Sequence, residues 1–72
     1  MRELRFHRAL YLGECLDEAL ARYARFARFE RAEEGDYWVV RIDGGSPRRE
    51  RRIADELANY VLGLTIRTRG SA

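Results

Sequence analysis

The sequence predicts a small α+β domain of two layers, in which a three-stranded sheet carries two helices on one face. Apolar residues recur every two positions in some segments and every three to four positions in others, which is typical of strands and helices respectively. Glycine and proline lie where this period changes. The resulting order is strand, helix, strand, strand, helix, and one sheet beneath both helices is the smallest arrangement that buries every apolar stripe.

Residues 2–12 are predicted to form the first strand. Leu4, Phe6, Leu10 and Leu12 share one parity, and charged or polar side chains occupy most of the other. This alternation is typical of a strand with one buried face.

Residues 14–27 are predicted to form the first helix, since the apolar positions now recur every three to four residues. Acidic residues fill its first turns and arginines fill its last, which matches the helix dipole at both ends.

Residues 29–33 and 37–43 are predicted to be the arms of a β-hairpin, joined by a turn at Gly35. The second arm is an unbroken row of aromatic and β-branched residues, so apolar side chains lie on both of its faces. One face carries Trp38, Val40 and Ile42, and the other carries Tyr37 and Val39. We therefore expect a second subunit or another partner to cover the second face.

A second helix is predicted to begin at Ser46 and Pro47, because serine caps free amides and proline is tolerated at the first helical position. The helical period predicts an end near Gly63. Residues 64–68 alternate weakly, which indicates either a short last strand or a frayed extension of the helix. We expect residues 1–69 to form a single domain and residues 70–72 to form a flexible tail.

The sequence supplies few groups for an active site. His7, the only histidine, lies on the exposed parity of the first strand and has no evident partner. Cys15, the only cysteine, lies on an apolar helical stripe and is predicted to be a buried thiol. No set of ligands has metal-binding spacing, and no serine lies near a histidine. The sequence therefore predicts no metal site, no cofactor and no enzymatic activity.

The densest basic cluster consists of Arg48, Arg49, Arg51 and Arg52. The favoured interpretation is a solvated surface, in which arginines pair with carboxylates four residues further along the helix, as Arg51 with Asp55 and Arg52 with Glu56. The alternative is a patch that follows a phosphate backbone. The net charge of +2 makes nucleic-acid binding the weaker expectation without excluding it.

No apolar segment has the length of a membrane span or of a signal peptide, and a single cysteine allows no internal disulfide. These features predict a cytoplasmic protein.

Residues 11–20, together with Tyr23 and Phe26, resemble the segment that follows the first strand in the HxsD-like family, small accessory proteins of the His-Xaa-Ser peptide system. Residues 57–62 resemble the closing helix motif of that family, with a leucine, a tyrosine and a leucine in register. The chain departs from the family pattern at Gly13, where we expect proline, and at Asn59, which replaces an aspartate. Gly63 and Leu64 replace the final arginine and glutamate of the motif. The resemblance implies an accessory protein encoded beside radical-SAM enzymes that modify a ribosomally made peptide, with no catalytic residues carried over.

The function expected from these features is that of a non-catalytic adaptor, which binds a peptide or a peptide-maturation enzyme. An open strand edge could accept an extended peptide by β-augmentation. Two alternatives are a small arginine-rich nucleic-acid-binding domain and a homo-oligomeric structural domain, such as a homodimer. The candidate partner-binding residues are Tyr37, Val39, Arg41, Arg48, Arg49 and Arg52.

Overall fold

The computed structural model of the protein describes residues 1–70. The order of its elements confirms the predicted α+β class, a β-α-β-β-α chain with two helices and a three-stranded sheet. The elements are β1 (Arg2–His7), α1 (Gly13–Tyr23), β2 (Arg28–Glu34), β3 (Tyr37–Asp43) and α2 (Pro47–Gly70).

The sheet is antiparallel throughout and has the order β1-β3-β2, so the last strand in the sequence is the central one. A two-residue turn joins β2 to β3. Gly35 has a φ of 59°, and within residues 1–70 no residue other than glycine has a positive φ. This combination fits a type II′ turn, which requires glycine at its first central position and suits the twist of a hairpin.

The hydrophobic core lies between one face of the sheet and both helices. Phe6, Val40 and Ile42 point to this face from β1 and β3. They pack with buried residues of the helices, which are Leu16, Ala19, Ile53, Ala54, Leu57 and Val61. Both helices therefore lie on the same face of the sheet, as the apolar periods predict.

The first strand is shorter than predicted and ends at His7. The amides of Leu10 and Tyr11 both donate to the His7 carbonyl, at 3.0 Å, so the chain turns after His7. The physical reason is that β1 pairs with β3, and β3 begins at Tyr37, directly after the hairpin turn. Residues 8–12 therefore have no strand to pair with, and Leu10 is 63% exposed despite its parity.

The first helix ends at Tyr23 rather than at residue 27. The Phe26 amide donates to the Tyr23 carbonyl at 2.9 Å, which forms a turn just after the helix. The chain then enters β2 at Arg28, which pairs with Asp43 at the far end of β3.

The second helix begins as predicted but continues to Gly70, well past Gly63. The Ser46 hydroxyl accepts a hydrogen bond from the Arg49 amide at 3.2 Å and caps the helix. Residues 64–68, predicted as a strand or a frayed extension, are regular helix. The predicted tail contributes Gly70 to this helix, and residues 71–72 lie outside the described residues. Neither α1 nor α2 combines the length and the apolar character that are needed to cross a bilayer.

Glu50 is a buried carboxylate at the junction of β3 and α2. Its two oxygens accept hydrogen bonds from the Gly44 amide at 3.0 Å and from the amino group of Met1 at 3.2 Å. The bond from Gly44 is the main cause that lowers the pKa of Glu50, and the amino group and Arg2 act in the same direction against the effect of burial. One side chain thus joins the start of β1, the loop before α2 and the first turn of α2.

Candidate functional site

The six predicted partner-binding residues lie on two separate surfaces. Tyr37, Val39 and Arg41 belong to the face of β3 that points away from the helices. Arg48, Arg49 and Arg52 lie in the first turns of α2, on the helical side of the sheet. The structure therefore brings together the members of each group but does not combine the two groups into one site.

A closed ring of ion pairs covers the open face of the sheet. Arg5 bonds to Glu3 at 3.1 Å and to Glu34 at 3.2 Å. Arg41 reaches the second oxygens of the same two glutamates at 3.5 and 3.8 Å. The hydrogen bond to Glu3 is the main cause that raises the pKa of Arg5. Four residues from three strands thus form a cyclic network that spans the sheet.

Val39 lies beneath this ring and is only 1% exposed. Its neighbours in the strand register are Arg5 and Ala32, and the long stems of the charged residues cover it. Val39 therefore needs no partner to cover it, because the chain covers it with its own side chains, and coverage of the rest of this face by a partner stays a prediction. Tyr37 remains 38% exposed, with the His7 ring packed edge-on against it at 5.1 Å.

The arginines at the start of α2 line an open groove between this helix and the segment that joins α1 to β2. We call it the arginine groove. Its lining residues are Phe26, Ser46, Arg48, Arg49, Arg51, Arg52, Ile53, Asp55 and Glu56. A second depression, which shares Phe26 and Glu56 with the groove, adds Arg22 and Arg25 from the end of α1 and the turn after it.

The arginines of the groove are not neutralised by carboxylates. Within residues 1–70, no carboxylate oxygen lies within 4.0 Å of Arg48, Arg49, Arg51 or Arg52, so the expected pairs along the helix are not formed. Arg49 instead donates to the Phe26 carbonyl at 3.0 Å. These side chains therefore keep charge and donors available to a ligand.

Charge is segregated across the molecule. The two depressions together contain six arginines and two carboxylates, a net charge of +4. Because the whole chain carries +2, the remaining residues carry −2. The composition conceals this separation, since it averages over arginines that are ion-paired on the sheet and arginines that are unpaired at the groove.

The outer edge of β2 has unpaired backbone groups. The Arg8 amide donates to the Asp36 carbonyl at 2.8 Å, so the even-numbered residues of β3 bond to β1 and the odd-numbered ones bond to β2. The partners of these odd-numbered residues are the even-numbered residues of β2. The amides and carbonyls of Phe29, Arg31 and Glu33 therefore point away from β3. On that side, no hydrogen bond within the described chain engages them.

The residues considered for chemistry are held in structural contacts. The His7 Nδ1 accepts a hydrogen bond from the Ala9 amide at 3.1 Å, a partner that the sequence did not reveal. Cys15 is 5% exposed, as predicted, and its Sγ lies 3.7 Å from the Thr68 hydroxyl. Among residues 1–70, no three or more His, Cys, Asp and Glu side chains cluster in a way that could hold a metal ion.

Sequence reasoning missed Phe26 as a surface residue. Its position fits the apolar stripe of a helix that continues to residue 27, but α1 ends at Tyr23 and leaves Phe26 47% exposed. The Arg25 guanidinium lies 5.8 Å from its ring centroid. One feature of the sequence indicates that Phe26 is exposed: it lies among four arginines between residues 22 and 31.

Comparison of the chain with known protein families, with curated proteins and with solved structures finds no match. The features of the structure that bear on function are the groove and the outer edge of β2.

Proposed function

We propose that the chain is a non-catalytic adaptor of the cytoplasm, which binds an extended peptide by adding it to β2 as a fourth strand. The observation that carries this proposal is the free outer edge of β2, seven residues long and without a covering element in the described chain. A maturation enzyme could be bound in the same way through an extended segment.

Backbone hydrogen bonds would supply the affinity. Phe29, Arg31 and Glu33 each offer one donor and one acceptor on the same side, in the spacing that an antiparallel strand requires. β2 is exposed along almost its whole length, so an added strand meets no obstacle.

The side chains of β2 would supply selectivity. The strand is rich in charge, with Arg28, Glu30 and Arg31 towards its start and two glutamates at its end. Charged edges discourage indiscriminate pairing between copies of a protein. A peptide with complementary charges avoids the repulsion between like charges, so the edge favours peptides with particular charge patterns.

The resemblance to the HxsD-like family supports a particular setting for this activity. In that setting the chain is an accessory protein of a peptide-modification system, and its partner is the ribosomally made peptide or a radical-SAM enzyme that modifies it. The absence of a match to any family profile leaves this assignment as a proposal.

Amide hydrogen exchange measured by NMR tests strand addition. The probe is a pool of synthetic ten-residue peptides with alternating β-branched residues and randomised charges, from which binders are selected on the immobilised chain. We expect bound peptide to slow exchange at Phe29, Arg31 and Glu33 by about tenfold or more, since these amides gain hydrogen bonds.

The amides of Glu30 and Ala32 are the internal control, because they already bond to β3 and should exchange slowly without peptide. Enrichment of no peptide contradicts the proposal. Enriched peptides that leave the three outer amides unprotected, or that protect β1 instead, also contradict it.

A further inference from the structure

We infer that the arginine groove binds the acidic residues of a polypeptide, namely those that follow the strand bound on β2. This inference rests on the proposed strand addition and adds the chemical class and the direction of the partner. It is carried by the unpaired arginines and by the position of the groove.

The arginines can bind carboxylates without first breaking internal pairs. The side chains of Arg48, Arg51 and Arg52 make no ion pair or hydrogen bond within the described chain, and the Arg49 side chain donates only to a carbonyl. A guanidinium presents a planar fork of donors that matches a carboxylate. The exposed ring of Phe26 lies in the same groove and offers an apolar contact beside the charges.

The groove lies at the end of the sheet where β2 begins. Only Ala27 separates Phe26 from β2, and Arg28 pairs with Asp43, the residue that ends β3 shortly before α2. A peptide antiparallel to β2 runs from the Glu34 end towards the Arg28 end. Its C-terminal residues therefore arrive beside the groove.

Several acidic side chains lie near the opposite end of β2, together with Arg8 and Arg69. The start of α1 lies there, since Asp17 bonds to Arg31 at 2.9 Å and Gly13 approaches Trp38. Three carboxylates near the Glu34 end of β2 form no ion pair within the described residues, namely those of Glu14, Glu18 and Asp36. The unpaired arginines of the groove therefore favour a peptide with an acidic end, whereas the mixed charges at the Glu34 end of β2 favour neither sign at its start.

The dimensions and lining of the groove favour a polypeptide over a nucleic acid. Residues 46–56 span about 15 Å of helix, which matches four or five extended residues. The groove also has one exposed aromatic ring, whereas single-strand binders stack successive bases on several.

The test uses two synthetic peptides that share one strand-forming sequence and differ in their last three residues, which are glutamates in one and glutamines in the other. Fluorescence anisotropy measures their affinities for the unaltered chain and for a variant that combines Arg48→Gln with Arg52→Gln. We expect the glutamate peptide to bind about tenfold more tightly than the glutamine peptide, and the variant to lose this preference.

A variant that combines Arg2→Gln with Arg5→Gln is the matched control. It removes the same charge from β1, at the opposite edge of the sheet from β2, and should keep the preference for glutamate. Circular dichroism establishes that each variant remains folded. Equal affinity of the unaltered chain for the two peptides overturns the inference, as does an equal loss of preference in both variants.

The two proposals can fail separately. If the outer β2 amides are protected by both peptides and the tails make no difference, strand addition stands and the role of the groove is refuted. If the glutamate preference depends on Arg48 and Arg52 without protection of those amides, the groove binds acidic residues and strand addition is refuted.

Two further outcomes would show that the groove binds something other than an acidic peptide. A single-stranded oligonucleotide that binds more tightly than the glutamate peptide, and loses affinity in the groove variant, would identify a nucleic-acid surface. Concentration-dependent light scattering that disappears in the same variant would identify a second copy of the chain as the occupant.

Discussion

At the scale of single residues, the environment of Trp38 shows how closely this small core is packed. The indole Nε1 donates to the Tyr11 carbonyl at 3.3 Å, and the guanidinium groups of Arg8 and Arg31 lie 4.7 and 4.6 Å from its ring centroid. A Cβ added to Gly13 would lie only 2.9 Å from the ring. Glycine is therefore needed at position 13 because the indole lies so close, and not because of the backbone conformation at this position.

The substitution Gly13→Ala should destabilise the chain by about 1–3 kcal/mol, because the ring of Trp38 must move away from its contacts. Chemical denaturation followed by circular dichroism measures this. The control is Gly63→Ala, in the middle of α2, where an added Cβ meets no atom within 4 Å. That change should stabilise the helix by about 0.5–1 kcal/mol. Equal effects of the two substitutions would refute this account of Gly13.

Individual residues were predictable where the cause is local. Ser46 caps α2 as expected, because the bond between a serine hydroxyl and an amide three residues later depends only on nearby backbone. Val39 was not predictable, because its cover comes from residues of two other strands. Parity assigns a side chain to a face but does not tell what lies above that face.

At the scale of elements, the length of α2 is decided by α1. Residues 61 and 65 are buried in the part of the helix near and beyond Gly63, and Thr68 approaches Cys15. Tyr60 packs edge-on against Tyr23 at the other end of α1, at 5.8 Å. The helices are therefore antiparallel neighbours, and this packing keeps residues 64–70 helical although their own pattern is ambiguous.

The substitution Thr65→Val should stabilise the chain by about 1 kcal/mol. Thr65 is 2% exposed, and its hydroxyl is buried without a hydrogen-bond partner in the described chain. A methyl group of similar size removes the cost of that unpaired hydroxyl. Denaturant midpoints measure the effect, and Thr65→Ser is the control, because it keeps the hydroxyl and should gain no stability. A loss of stability in Thr65→Val would show that the hydroxyl is satisfied.

At the scale of the whole molecule, Glu50 couples distant parts of the chain. A domain of this size buries little surface, so one buried carboxylate that joins β1, a loop and α2 has a large influence on global stability. Because the folded chain lowers the pKa of Glu50, the ionised form contributes stability above the ordinary pKa of 4.5. That contribution is lost as the pH falls through the lowered value in the folded chain.

The substitution Glu50→Gln should therefore reduce the free energy of unfolding at pH 7. The free energy of unfolding of this variant should also fall less steeply as the pH is lowered. Urea denaturation between pH 7 and pH 3 should show the stabilities of the two chains converging as the pH falls. Glu56→Gln, an exposed glutamate of the same helix, is the control and should follow the unaltered chain. A constant difference between Glu50→Gln and the unaltered chain at every pH would show that the charge of Glu50 is not the cause.

The class of fold, the order of the elements and most of the side chains that face the core could be predicted from the sequence, because the period of apolar residues is a local property of each segment. The tertiary structure was needed to show where β1 and α2 end, which two strands form the edges of the sheet and which arginines remain unpaired. The strand order β1-β3-β2 is the cause in several of these cases. It ends β1 opposite the hairpin turn, frees the outer side of β2 and brings charges from three strands together over Val39. These outcomes depend on partners far apart in the sequence, so no local pattern contains them.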